Sequence, residues 1–255
     1  MTQAGSGLFD TLLLRRLRKR LDGVAQGATG APPAALRRLL RELRATRPRL
    51  DAAEHAATTQ LLRRAALPLR AQGAHWMWRP PHLTQPIASH VPATRGTEPE
   101  PGLKLFHDCP RGQIALIQRR GAGGRGHPPF ALVLEAYAFE GSFLSLVLDL
   151  PEAAWRDATG RDIFDLAVRV EAERASPLFA RLNIRHGPNT ADLLRHIPAE
   201  HAADGAAHVA FDLACSQIDA GRIEHAWLDL IPERPAMNRI TLTDITLARR
   251  PRAEP

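Results

Sequence analysis

The chain has 255 residues, 44% of them hydrophobic and 24% charged, which excludes a wholly disordered polymer. Its aliphatic runs, such as Leu146-Val147-Leu148, fall far short of the roughly 20 apolar residues of a membrane-spanning helix. The net charge of +7 is unevenly placed: residues 1–96 carry 16 basic and 5 acidic side chains, net +11, and residues 97–255 carry 18 and 22, net −4. Any attraction for anionic polymers or lipid therefore belongs to the head. The cations are 32 Arg against 2 Lys, beside 42 Ala, a skew that a GC-rich genome produces as readily as selection for phosphate contacts.

Two cysteines, Cys109 and Cys215, without C-x-x-C spacing, predict neither a disulfide framework nor a zinc site. At the N-terminus Leu12-Leu13-Leu14 precedes the Arg15 to Arg20 cluster, the reverse of a secretory leader. The expected compartment is the cytoplasm.

Residues 1–67 read as a basic helical segment. In its first helix Phe9, Leu13, Leu17 and Leu21 recur at every fourth position, while Arg15, Arg16, Arg18, Lys19 and Arg20 largely face elsewhere. Residues 8–22 are thus suited to peripheral contact with anionic lipid, or to packing of the stripe on the other helices. A second helix starts near Pro32-Pro33 and carries Leu36, Leu39, Leu40 and Leu43. A third starts at Asp51 as N-cap, with Glu54 three residues on, and stops at Pro68. No specific nucleic-acid motif occurs. Residues 68–102 hold seven of the 21 prolines and read as a connector or strap. Trp76 and Trp78, two apart in an extended chain, point to one side and call for burial.

From Leu103 the hydrophobic period changes from 3.6 to 2. Candidate strands are 103–107, 113–119, 130–139, 143–149, 163–173, 178–186, 208–215, 225–231 and 239–248. Leu144, Leu146 and Leu148 alternate with Ser145 and Val147; Val209, Phe211 and Leu213 alternate with Ala210 and Asp212. Eight or nine short strands with few helices between them predict a mainly β protein. The expected fold is a jelly-roll-like antiparallel β-sandwich over 103–255 behind an N-terminal α-helical segment. In the last strand Ile240 and Leu242 share one parity and Ile245 and Leu247 the other, which predicts a β-bulge near Thr243-Asp244.

Several runs have a familiar look: Leu105 to Pro110 (LFHDCP), Phe139 to Pro151 (FEGSFLSLVLDLP), Phe179 to Thr190 (FARLNIRHGPNT), Ala226 to Ile231 (AWLDLI) and the ending Arg249 to Glu254. Together they resemble an uncharacterised bacterial family of unknown function over roughly residues 74–255. The strand order also resembles the jelly rolls of galactose-binding-like modules. The resemblance implies a fold and supplies no activity.

Four features bear on chemistry. Gly121-Ala122-Gly123-Gly124-Arg125-Gly126 matches G-x-G-x-x-G, but His127-Pro128-Pro129 and a strand follow where a dinucleotide site needs a helix N-terminus, so a hairpin loop is expected. His107 and Cys109 share one side of a strand and are spaced for a thiol–imidazole pair, with Asp108 on the other side; the plain reading is a buried thiol before a turn. Eleven histidines show no H-x-H or H-E-x-x-H spacing, so no histidine metal site and no cofactor is expected; a jelly roll can hold a structural calcium on loop Asp side chains and carbonyls, for which the sequence singles out no ligands.

The fourth feature is the most informative. Leu178, Ala180, Leu182 and Ile184 fill a core, which turns Arg181, Asn183 and Arg185 to the opposite face, and His186 to Thr190 follow as a polar turn that includes Asn189. By the same parity Leu228 and Leu230 turn Trp227 and Asp229 outward. If the two strands are neighbours, Arg181, Asn183, Arg185, His186, Asn189, Trp227 and Asp229 form one polar platform with an indole in it. Stacking plus directed hydrogen bonds suits a saccharide or another polar or anionic ligand. The expected function is a non-catalytic binding module. The alternatives are a hydrolase or thiol enzyme built on His107 and Cys109, or a scaffold attached to membrane or nucleic acid through the basic helices.

Overall fold

The structure, a computed structural model, describes residues 15, 19, 21–23, 32–64, 73–88, 93–121, 126–198, 205–216 and 218–252. The chain separates into two compact units, Met1–Glu54 and His55–Pro255. Of the first expected helix only residues 15, 19 and 21–23 are described, and they are helical; the lipid-facing stripe of residues 8–22 otherwise lies outside the described residues. The second and third expected helices are one. Helix α1 runs Pro33–Arg64 with Pro48 inside it, so Asp51 sits mid-helix and is no N-cap. An interior proline removes one hydrogen bond and crowds the turn before it. Here the Leu, Arg, Ala and Glu around it are strong helix formers and carry the helix through. Among the described residues no helix is long and apolar enough to cross a membrane.

Among its described residues the second unit is a sandwich of twelve strands: β1 (Trp76–Trp78), β2 (Thr97–Glu100), β3 (Leu103–His107), β4 (Ile114–Arg120), β5 (Phe130–Ala136), β6 (Leu144–Asp149), β7 (Asp162–Ala172), β8 (Leu178–His186), β9 (Asn189–Ile197), β10 (Ala207–Asp212), β11 (Ile223–Pro232) and β12 (Asn238–Pro251). One sheet has the order β10-β7-β12-β5-β4, with β1 on β12; the other has the order β2-β3-β6-β11-β8-β9. All pairings are antiparallel, and the jelly-roll-like sandwich expected from the alternation is the observed fold. Inward side chains of the two sheets, among them Leu146, Leu148, Leu182, Leu228, Phe164 and Leu247, lie in one buried cluster. Each such side chain contributes about 1.5–3 kcal/mol by leaving water.

The register of β12 slips between Leu242 and Asp244, where the sequence pattern changes parity. The bulge keeps Leu242, Ile245 and Leu247 all in the core and turns Asp244 to the other face. It also divides the strand's edge: β5 pairs with residues 238–242 and β1 with residues 247–249.

The stretch expected as a connector supplies both β1 and β2. Trp76 and Trp78 pack on the core as partly buried side chains, and Trp76 meets Phe164 edge-on at 6.5 Å. Leu83 is fully buried. Gln118 fixes the segment between them, accepting from Ile87 N at 2.9 Å and donating to the carbonyls of His82 and Gln85, each at 2.7 Å. One further strand escaped the period-2 reading. β9 is an edge strand whose Leu193-Leu194 doublet breaks the alternation, with Leu193 buried and Leu194 50% exposed. A two-residue turn joins it to β8, and Gly187 opens that turn at φ +58°, a region a side chain rarely adopts.

Candidate functional site

β11 lies between β6 and β8. Its inward residues Ala226, Leu228 and Leu230 are at most 2% exposed, which leaves His225, Trp227, Asp229 and Ile231 for the outer face. Pairing then sets the rungs. Asp149, Trp227 and Asn183 share one; Val147, Asp229 and Arg181 share the next, which Lys104 extends on β3. The two polar rows expected from parity are therefore adjacent.

The centre of this face is a charged cluster. Arg181 donates from Nε and Nη2 to Asp229 Oδ2 at 2.9 and 2.6 Å, and Asn183 Nδ2 donates to the same oxygen at 3.1 Å. Asp229 is only 2% exposed and Asn183 5%, so neither stands on an open platform. Burial pushes the Asp229 carboxyl above its ordinary range, and the Arg181 and Asn183 hydrogen bonds offset only part of that rise. Asp229 Oδ1 is buried without a hydrogen-bond partner, and so is Ser145 Oγ. Orphaned polar groups are few in native folds, and a group of this kind calls for an explanation in its use.

On the neighbouring rung Asp149 holds Lys104 Nζ at 2.7 Å and His225 Nε2 at 3.4 Å. The His225 ring stacks on Trp227 with centroids 5.3 Å apart and planes at 25°, and meets Trp155 edge-on. Arg185 reaches Glu224 at 3.3 Å, with both side chains 53% exposed, a pair that solvent screens to about 0–1 kcal/mol. Lys104, Asp149, Arg181, Arg185, His225, Trp227 and Asp229 line an open groove of about 570 Å³, walled also by Arg95, Phe106 and Phe143. Its lining carries four cations, Arg95, Lys104, Arg181 and Arg185, against two carboxylates, Asp149 and Asp229.

Three of the expected residues do not line the groove: Asn183, covered on the outer face, and two that stand elsewhere. His186 has the inward parity of β8, is 8% exposed, and accepts at Nδ1 from Asp219 N at 3.4 Å. Asn189 is exposed at the end of the sheet, paired with His186 across the turn. Neither lines the groove. Lys104, Phe106, Ser145 and Asp149 do line it and were not singled out, although Leu103, Leu105, Leu146 and Leu148 already fix their parity.

His107 and Cys109 do not make the thiol–imidazole contact. His107 Nδ1 accepts from the Cys109 backbone N at 3.2 Å and Nε2 lies 3.3 Å from the Ala93 carbonyl, so both ring nitrogens serve the backbone. Burial raises the Cys109 thiol, but backbone hydrogen bonds at Glu140, Arg111, Gly112 and Gln113 outweigh it and bring the group below 9.0. Asp108 accepts from Ser142 N, Ser142 Oγ and Phe143 N at 2.7, 2.6 and 3.1 Å and fixes the loop before β6. Cys109→Ser is expected to lower stability by about 1–3 kcal/mol, because a hydroxyl replaces a 6%-exposed thiol. Iodoacetamide should alkylate the native thiol slowly at neutral pH; alkylation as fast as in the unfolded chain contradicts the burial. Residues 122–125 of the glycine-rich loop lie outside the described residues. Among the described residues no group of three or more His, Cys, Asp or Glu is placed to hold a metal ion.

The whole sequence, residues 1–255, matches DUF6478, a family of unknown function. The chain belongs to DUF6478. Membership covers the helical head as well as the strands, where the resemblance in the sequence reached only residues 74–255. No curated protein matches this DUF6478 chain. Solved structures similar to it include the enzymatically active domain of bacteriophage CBA120 tailspike protein 4 (9% identity, 58% of this chain, TM-score 0.40). A cyclase from Fischerella sp. TAU is another (12% identity, 70% of this chain and 100% of that one, TM-score 0.42). A third is the family 11 carbohydrate-binding module from Clostridium thermocellum in complex with a β-1,3-1,4-mixed-linked tetrasaccharide (8% identity, 63% and 100%, TM-score 0.38). The DUF6478 chain spans 19% of the tailspike domain. Likeness at this level carries no ligand or activity over to DUF6478.

Proposed function

We propose that the groove on the outer face of β3, β6, β11 and β8 binds a saccharide without catalysis. The observation that carries this reading is the position of Trp227. Its indole is stacked on His225, shares a rung with Asn183 and Asp149, and lies one rung from the Arg181–Asp229 pair. A sugar ring offers an apolar face for an indole and hydroxyls around its rim, and fixed guanidinium, carboxylate and ammonium groups around that indole match the rim. Asp149 and Asp229 accept from hydroxyls; Arg185, Arg95 and Lys104 donate to them. Most of these groups already hold one another in place, so little side-chain freedom is lost on binding.

Titration calorimetry of the full chain against a panel of neutral and acidic oligosaccharides tests the reading. Trp227→Ala is expected to weaken binding at least about tenfold with an unchanged melting temperature, and Trp227→Phe to retain part of it. Arg185→Ala, at an exposed side chain, should weaken binding more modestly. Binding that survives Trp227→Ala unaltered moves the site elsewhere, and a panel with no binder ends the saccharide reading.

A further inference from the structure

A second cavity of about 560 Å³ opens next to the groove, and the two share Phe143 and Ile231 as walls. It is lined by Phe139 and Phe179 and by the loop that joins β11 to β12, with Glu233 and Arg234 at its rim. This loop is held in an unusual shape. Arg234 and Met237 have φ of 53° and 51°, a region that residues with side chains seldom enter. Both ends are tied down: Glu233 N donates to the Pro177 carbonyl and Met237 N to the Tyr137 carbonyl, each at 2.8 Å, and Ser176 Oγ donates to the Glu233 carbonyl.

Along β11 the outer face therefore presents His225, Trp227, Asp229 and Ile231 and then leads into the second cavity. At roughly 3.3 Å per residue the strand portion alone spans about 20 Å, longer than one sugar ring. Apolar surfaces recur along this path: the Trp227–His225 stack, then Phe143, 40% exposed, then Phe179, itself braced edge-on by His196 at 5.2 Å. Charge recurs as well. Lys104 and Arg181 are neutralised by Asp149 and Asp229. Among the described residues Arg95 in the groove and Arg234 in the second cavity form no ion pair, although Glu233 shares the rim with Arg234.

We infer that the occupant is an acidic glycan chain of several sugar units, lying along β11 from the Trp227 end of the groove, over Phe143, into the cavity under Arg234. The inference rests on the saccharide reading and adds length and charge to it. One ring satisfies the Trp227 end; only a chain uses both cavities at once, and only a chain with repeated carboxylates or sulfates meets a free guanidinium in each.

The test is a length series, from monomer to hexamer, of three uronate oligomers (galacturonan, mannuronan and hyaluronan) beside neutral glucan and xylan oligomers, titrated into the full chain. For at least one uronate the hexamer should bind about tenfold tighter than the dimer, equivalent to about 1.4 kcal/mol. The neutral series should bind more weakly at every length. Phe179→Ala and Arg234→Ala, at residues that line the second cavity alone, should bring the hexamer back to the affinity of the dimer and leave the dimer as it was, while Trp227→Ala weakens every length. Affinity that depends on Trp227 but not on length overturns the chain and leaves the saccharide reading standing. Neutral oligomers that bind as tightly as uronates overturn the charge. Failure of every saccharide removes both readings, and Trp227-dependent binding of oligothymidylate in their place assigns the groove to single-stranded nucleic acid.

Discussion

Asp244→Ala is expected to lower stability by about 3–5 kcal/mol, seen as a fall in melting temperature of roughly 6–20 °C. Arg79 and Asp244 form a two-point pair, Nε to Oδ1 and Nη2 to Oδ2, both at 2.9 Å, with each side chain 6% exposed. Arg79 Nη2 also donates to the Gly126 carbonyl at 3.0 Å. Truncating the aspartate leaves a guanidinium out of water with no anion near it, and that penalty is far larger than the net worth of the intact pair. The pair also ties the segment after β1 to the face of β12 onto which the bulge turns Asp244. A double variant, Arg79→Met with Asp244→Leu, removes both charges and fills the volume, so it should recover most of the loss. Calorimetric melting of the three proteins decides it. A single variant that melts with the native chain shows that the segment is held by its apolar contacts alone.

What the sequence disclosed divides along a physical line. Parity is local: where Leu182 and Ile184 must be inside, Arg181, Asn183 and Arg185 must be outside, and the same logic placed Trp227 and Asp229. The bulge in β12 was legible for the same reason, since Ile245 and Leu247 change parity from Leu242. Adjacency is not local. β8 and β11 are separated along the chain by β9 and β10, and only the packing of the whole sheet puts them side by side. Burial on the outer face was equally out of reach. Asn183 and Asp229 point outward and are still covered, because each is crowded by its cross-strand neighbours. The helix break expected at Asp51 rested on a local cap signal, Asp51 with Glu54, that the composition of the surrounding residues outweighed. β9 lacks alternation because an edge strand needs to bury little, and β1, only three residues long, presents too few positions for a period. Asp149 and Lys104 had the right parity, but nothing in the sequence alone distinguishes a strand's solvated face from the wall of a groove.

Asp229→Asn is expected to alter the pH dependence of stability more than its size at any one pH. In the folded chain burial holds the proton on Asp229 to a higher pH than the ordinary 3.8, despite Arg181 and Asn183. A carboxyl whose folded-state pKa is raised favours the fold while protonated in both states. That contribution is complete below 3.8 and is lost as pH rises through the raised folded value. The asparagine has no such titration, so the stability of the wild type relative to Asp229→Asn should fall as pH climbs through that window and then level off. Opposing this, the amide surrenders the charge that receives Arg181 Nε and Nη2, though Arg181 is 40% exposed in its side chain and can turn to water. The stability change at neutral pH should thus stay within about 1–3 kcal/mol, the range for a buried polar group that loses a charged partner. Urea titrations of both proteins at closely spaced pH values from 3 to 8 yield the difference curve. A difference that instead rises with pH across the window means that the Arg181 and Asn183 hydrogen bonds outweigh burial. Asp229 would then be a carboxylate at every pH where the protein folds, a fixed anion in the floor of the groove.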